Sequence, residues 1–200
     1  MYMNSSKMKN LISELSSFLK KNNSLLDIII FGSSVKGKEK PSDIDLLLIF
    51  KEKKDSDISY ELKKLLEKKE ISSDIQDITY ESLFSEKFIA REAFLSEGYS
   101  IKTKKNVSTG LGYINFTLIK YDFAKLNKSQ RMRFYYGLRG RAKEDIGLLD
   151  SLNAFKLSDN ILLCPIENTE KMKEFFKYWK IPIMEVPILF PERITYLLKK

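Results

Sequence analysis

Apolar residues recur at three- and four-residue steps through Met8, Leu11, Ile12, Leu15, Phe18 and Leu19, which predicts an amphipathic helix capped at Ser5 or Ser6 and ending near Asn22. The period then changes. LLDIIIFGSS and SDIDLLLIF are short β-branched or aliphatic runs on either side of the polar stretch KGKEKPS, which predicts two neighbouring strands joined by a turn. Ile58, Leu62, Leu65 and Leu66 return to helical spacing between about Ser56 and Glu70, and ISSDIQDIT follows as a third strand. The stretch from Thr79 to Gly98 carries Leu83, Phe84, Phe88, Ala90 and Phe94. It predicts a helix with Thr79 as its cap and Gly98 as its terminator.

A soft boundary falls near residues 98–108, which gives an amino-terminal domain over about 1–100 and a second over 101–200. In the second, Tyr99 to Thr103 reads as a short strand, and Leu111 to Leu126 and Ser129 to Leu138 read as two helices separated by LNKS. The tail supplies ILLCPIE, an amphipathic NTEKMKEFFKYWK and IPIMEVPILF. That order predicts a small β-α-β unit whose last strand, broken by Pro182 and Pro187, lies at a sheet edge. The fold class expected is α+β: a short mixed sheet backed by helices, followed by a smaller α/β domain.

Composition narrows the chemistry. The 200 residues contain no histidine, which removes Ser-His-Asp and Cys-His catalysis and every histidine metal ligand. The single cysteine, Cys164, rules out an intrachain disulfide and any multi-cysteine metal centre, and it reads as a small buried hydrophobe in a reducing, cytoplasmic setting. The amino terminus has no secretory-signal pattern, and no apolar run approaches the ~18 residues of a membrane span. The net charge of +8 is unevenly spread: residues 1–100 hold 16 basic and 17 acidic groups, whereas residues 101–200 hold 19 and 10.

Asp43 and Asp45 lie two apart where the second strand begins, so their carboxylates project from one face and Ile44 from the other. Two acids on one face repel unless they share a divalent cation, and hard oxygen ligands favour Mg²⁺ or Mn²⁺, which also bind triphosphate oxygens. Eleven residues or so earlier, Gly32 and Ser33 end the first strand, where a missing side chain lets backbone N–H groups approach phosphate. Gly37 keeps the intervening turn open.

Gly32-Ser33 followed by Ser42-Asp43-Ile44-Asp45 resembles the signature of the DNA polymerase β-like nucleotidyltransferase superfamily, most of all the minimal nucleotidyltransferases of archaea and bacteria. The resemblance covers about residues 10–95. It implies transfer of a nucleoside monophosphate from an NTP with release of pyrophosphate, Asp43 and Asp45 as ligands of Mg²⁺ or Mn²⁺, and Gly32, Ser33 and Ser42 as the nucleotide-binding residues. The superfamily's third carboxylate comes from a later strand. Aligning ISSDIQDITYESL with that junction places Gln76 nearest the expected acid, between Asp74 and Asp77. These two face opposite sides of a regular strand, so at most one joins the pair. Asp77, which shares a face with Ile75 and Thr79, is the preferred third catalytic acid and Asp74 the alternative.

Between residues 120 and 143 there are eight basic groups against one acid, Asp122. Lys128, Arg131, Arg133, Arg139 and Arg141, interleaved with Phe134, Tyr135 and Tyr136, form a candidate nucleic-acid surface. A solvated basic helix with its aromatics packed inward, Phe134 with Leu138, explains the same pattern. The leading expectation is therefore a metal-dependent nucleotidyltransferase whose acceptor is RNA. Two others remain: a nucleotidyltransferase-fold module without transfer activity that binds nucleic acid or protein as a regulator or antitoxin-like component, and nucleotide transfer onto a protein. No membrane partner is expected.

Overall fold

Met8, Leu11, Leu15 and Phe18 line one side of α1 (Ser6–Lys21), and it is this stripe that buries the helix against a sheet. The computed structural model describes residues 6–32, 43–142 and 145–199. The chain divides into two units, Met1–Leu111 and Gly112–Lys200.

The first unit is built on strands β1 (Leu25–Phe31), β2 (Ile44–Phe50), β3 (Ser73–Thr79), β4 (Tyr99–Ser100) and β5 (Lys105–Asn106), in the order β3-β2-β1-β4-β5. β1 and β2 are antiparallel, while β2 and β3 are parallel. Parallel neighbours need a crossover, and α2 (Ser56–Glu67) provides it. Its start is fixed by Asp55, whose side chain accepts from the amides of Asp57 and Ile58. Alternation sorts the strand side chains. Ile28, Ile30, Leu46, Leu48 and Phe50 pack with α1 and with Leu62 and Leu66 of α2, whereas Ile29, Leu47 and Ile49 turn to the opposite face. β2 is thus paired along both edges and covered on both faces.

The segment after β3 departs from the single helix expected over 79–98. A 3₁₀ turn covers Glu81–Phe84, and only Arg91–Glu97 is α-helical (α3). The residues that pack on the sheet are Leu83, Phe88 and Phe94. Their spacing of five and six cannot lie on one helical face. Phe84, counted into the apolar pattern by sequence, is 77% exposed, and Ile89 beside Phe88 is 93% exposed. The short helix α4 (Val107–Gly110) closes the unit.

The second unit corrects another expectation. Tyr113–Tyr121, read from its apolar content as part of a helix over 111–126, is strand β6 at the interior of a four-stranded sheet ordered β7-β8-β6-β9. The alternation of Asn115, Thr117, Ile119 and Tyr121 with Ile114, Phe116 and Leu118 has period two, and it overrides the weaker three- and four-residue matches. β7 (Phe155–Ser158), β8 (Ile161–Pro165) and β9 (Ile183–Pro191) complete the sheet. β8, α7 (Thr169–Tyr178) and β9 are the expected β-α-β unit, with β6 inserted between its strands and the proline-bearing β9 at an edge. α5 (Lys128–Arg139) begins at a capping box in which Asn127 and Gln130 exchange hydrogen bonds. Tyr121, Phe134, Phe176 and Cys164 are buried in one core, with Trp179 partly buried against it. The short helix α6 (Leu148–Ser151) lies between α5 and β7. Among the described residues, no helix is long and apolar enough to cross a membrane.

Candidate active site

The end of β1 and the start of β2 meet because Phe31 pairs with Asp45. The next residue, Gly32, has φ of +77°, in the left-handed region where a side chain is strained. Its neighbour is the carboxylate of Asp45. A Cβ built on Gly32 would overlap Asp45 Oδ2 and lie 3.1 Å from Asp45 Cγ. Only glycine satisfies both demands, the backbone angle and the close approach. Ser33, Gly37 and Ser42 lie outside the described residues, as does Lys143 of the basic segment.

Asp45 is half-buried and its carboxyl is held above the ordinary carboxylate range. Burial is the largest cause, followed by the negative charges of Asp43, Asp74 and Glu97. That order of causes has a consequence for stability. A carboxyl whose folded pKa is raised stabilises the fold while it is protonated, and this contribution is lost as pH rises from the ordinary value through the raised one. At neutral pH the Asp45 charge is therefore a net cost to the apo fold. Asp45→Asn is expected to raise the thermal midpoint near pH 7 in a chelated buffer, and the gain should shrink on acidification toward about pH 4. A gain independent of pH, or a loss, would contradict this origin of the shift.

The register of the parallel pair decides which later acid stands beside Asp45. Asp45 pairs with Asp74, Leu47 with Gln76 and Leu48 with Asp77. Directly paired residues share a face, so Asp74 and Gln76 stand on the side of Asp45 and Leu47. Asp77 points the other way, where its Oδ2 accepts a 2.6 Å hydrogen bond from the Ser59 hydroxyl of α2. The parity that put Asp77 with Ile75 and Thr79 is correct, but that side is the helix-covered one. The structure therefore brings Asp74, and not the preferred Asp77, to the pair. Asp77 Oδ1 is buried without a hydrogen-bond partner.

Glu97, at the end of α3, is 8% exposed and its charge reaches Asp45. Sequence reading passed over it. The available signal was an acid immediately before the helix-ending Gly98, at a position the apolar pattern assigns to the interior. Among the described residues, no three His, Cys, Asp or Glu side chains converge into a complete metal site. Asp43 and Asp45 thus offer part of an oxygen donor set, of the kind nucleotide phosphates complete. The two carboxylates' hard oxygen donors fit a divalent cation such as Mg²⁺.

The basic segment resolves into separate roles. Phe134 is fully buried, as the inward-packing alternative requires. Arg131 donates from Nε to the Leu126 carbonyl at 2.9 Å and lies over the Phe123 ring, so it secures the turn before α5. Lys128, Arg133, Arg139 and Arg141 are exposed. Arg141 covers the ring of the partly exposed Tyr136, 5.1 Å from its centroid.

Residues 13–106 match the family model described as Polymerase beta, Nucleotidyltransferase. Three solved structures are similar to part of the chain. A mutant of the MntA–HpeT toxin–antitoxin pair has 20% identity and a TM-score of 0.37, covering 45% of this chain and 71% of that one. A tri-AMPylated HEPN toxin of Shewanella oneidensis in complex with MNT antitoxin has 20% identity and a TM-score of 0.35, covering 46% and 70%. A toxin–antitoxin structure with AMP-PNP has 24% identity and a TM-score of 0.36, covering 45% and 71%. No curated protein matches.

Proposed function

From the polymerase β-like nucleotidyltransferase domain over residues 13–106, we propose that this protein transfers a nucleoside monophosphate from an NTP to a hydroxyl-bearing acceptor and releases pyrophosphate. The observation that carries the reading is the apposition of Gly32 and Asp45, a glycine kept where any side chain would fill the space beside a carboxylate. Transfer makes a bond from the acceptor oxygen to the α-phosphorus and breaks the α-phosphorus bond to the pyrophosphate oxygen. Asp43 and Asp45 offer oxygen donors at the start of β2, and the terminal phosphates bind beside the backbone at Gly32. Bound by those two carboxylates, Mg²⁺ or Mn²⁺ supplies charge neutralisation to the triphosphate and the leaving group. Asp74, in register with Asp45, takes the acceptor's proton on a carboxylate oxygen. Lys128, Arg133, Arg139 and Arg141 support RNA as the acceptor, because their exposed cations neutralise phosphates.

The test is transfer of α-labelled NTP to pooled RNA and protein acceptors. Asp74→Asn is expected to slow labelling by about a hundredfold or more, and Asp77→Asn by no more than about threefold. The opposite ranking would remove Asp74 from the mechanism. Label on RNA that falls when Arg139 and Arg141 are neutralised supports the acceptor reading, and label only on protein replaces it. Binding of NTP with no transfer to either pool would make the domain a binding module.

A further inference from the structure

A groove of about 310 Å³ opens at the opposite end of the first sheet from Asp43 and Asp45. Leu25 and Lys51, at its mouth, belong to the start of β1 and the residue after β2, whereas Phe31 pairs with Asp45 at the other end. Six strand steps separate these ends, roughly 20 Å. Leu19, Leu25, Leu26 and Ile101 supply its apolar lining, and Lys20, Lys51, Lys102 and Lys104 its charged lining. The lysines come from three separate places: the last turn of α1, the end of β2 and the turn between β4 and β5.

Among the described residues, the lining contains no aspartate or glutamate. That is not a general consequence of a lysine-rich sequence. Two other grooves along α1 mix lysines with Glu14 and Glu61, or with Glu14, Asp43 and Glu70. The charges of residues 1–100 nearly balance as well, so four cations lining one groove are a local concentration. Lys20 has a structural reason to be there, since a cation at a helix C-terminus complements the helix dipole. Lys51, Lys102 and Lys104 have no such reason. Asp27, whose carboxylate feels the charge of Lys102, already accepts from the Ser100 hydroxyl and from the amides of Ile28 and Lys102. Its oxygens are therefore engaged within the fold.

We propose that this groove is a second anion site that binds a compact oligophosphate group without metal. Ammonium groups are point-charge phosphate partners, and four along one groove repel one another until a multivalent anion joins them. The volume is at the small end of ligand pockets. A nucleic-acid strand is followed by an extended basic track, whereas these four cations line one groove. The site is independent of the transfer chemistry at Asp43 and Asp45.

Titration calorimetry of inorganic tripolyphosphate into the full chain, at low salt in EDTA, tests the assignment. One site is expected in the wild type and in Asp43→Asn/Asp45→Asn, with about tenfold weaker binding in Lys51→Gln/Lys102→Gln at an unchanged thermal midpoint. ATP in the same titration separates the sources. Equal affinity for ATP and tripolyphosphate assigns the phosphate group alone, and tighter ATP assigns a nucleotide. The proposal is overturned if the wild type binds no tripolyphosphate, if the lysine variant binds as the wild type does, or if loss of the two aspartates abolishes binding. It is also overturned if single-stranded RNA binds through these lysines and tripolyphosphate does not displace it.

Discussion

Replacing Asp43 and Asp45 together by asparagine is expected to lower nucleotidyl transfer by about a thousandfold or more while the fold persists. Asp45 stands on the face of β2 that carries Leu47 and Ile49, opposite the face packed on α1 and α2, and the exposed Asp43 precedes the strand, so neither carboxylate contributes to the apolar clusters that hold the sheet together. Asparagine keeps the shape and removes the charge, so the change acts on charge rather than on packing. It also relieves the mutual repulsion felt at Asp45, so the variant should unfold no earlier than the wild type. The measurement is label transfer from an α-labelled NTP, read beside a thermal melt. Transfer within about tenfold of the wild type, with an intact melt, would show that the pair does not carry the reaction.

The second large effect is expected at Gly32. Gly32→Ala places a Cβ onto Asp45 Oδ2 and forces an L-residue into a φ of +77°. The backbone penalty alone is about 1 kcal/mol, and the overlap must be relieved by turning the Asp45 carboxylate or by parting the end of β1 from β2. Either movement displaces an oxygen donor by roughly an ångström, which is worth about a hundredfold in rate. Gly112→Ala separates the two causes. Gly112 has φ of +78° but nothing within 4 Å of its built Cβ. It should therefore carry the backbone cost without the loss of transfer. Equal rates for the two variants would mean that the crowding at Asp45 has no part in the chemistry.

Much of this site can be read in the residues themselves. The strands before Gly32 and after Ser42 announce themselves by β-branched and aliphatic runs, and a spacing of two places Asp43 and Asp45 on one face wherever that strand lies. The third acid was different. Parity says that Asp74 and Asp77 point apart, but which of them meets Asp45 depends on the parallel register between β2 and β3. That register is set by how α2 spans the two strands, a tertiary relation with no local signal. The stretch from Thr79 to Gly98 misled for a related reason: its apolar residues satisfy a helical count, yet Phe84 and Ile89 face solvent while Leu83, Phe88 and Phe94 reach the sheet. In the second unit, Tyr113–Tyr121 is apolar enough to satisfy either period, and only its place between β8 and β9 makes the strand the lower-energy choice.

The position of β2, paired along both edges and covered on both faces, determines how the face that carries Asp45 fails. The amides of Leu46 to Ile49 lie between two apolar clusters, so they are expected to exchange with solvent chiefly when the whole unit unfolds. Asp45 sits at the start of that strand. Its orientation is therefore preserved through the small fluctuations that release loops and helix ends, and it is lost only in the cooperative event that ends the fold itself.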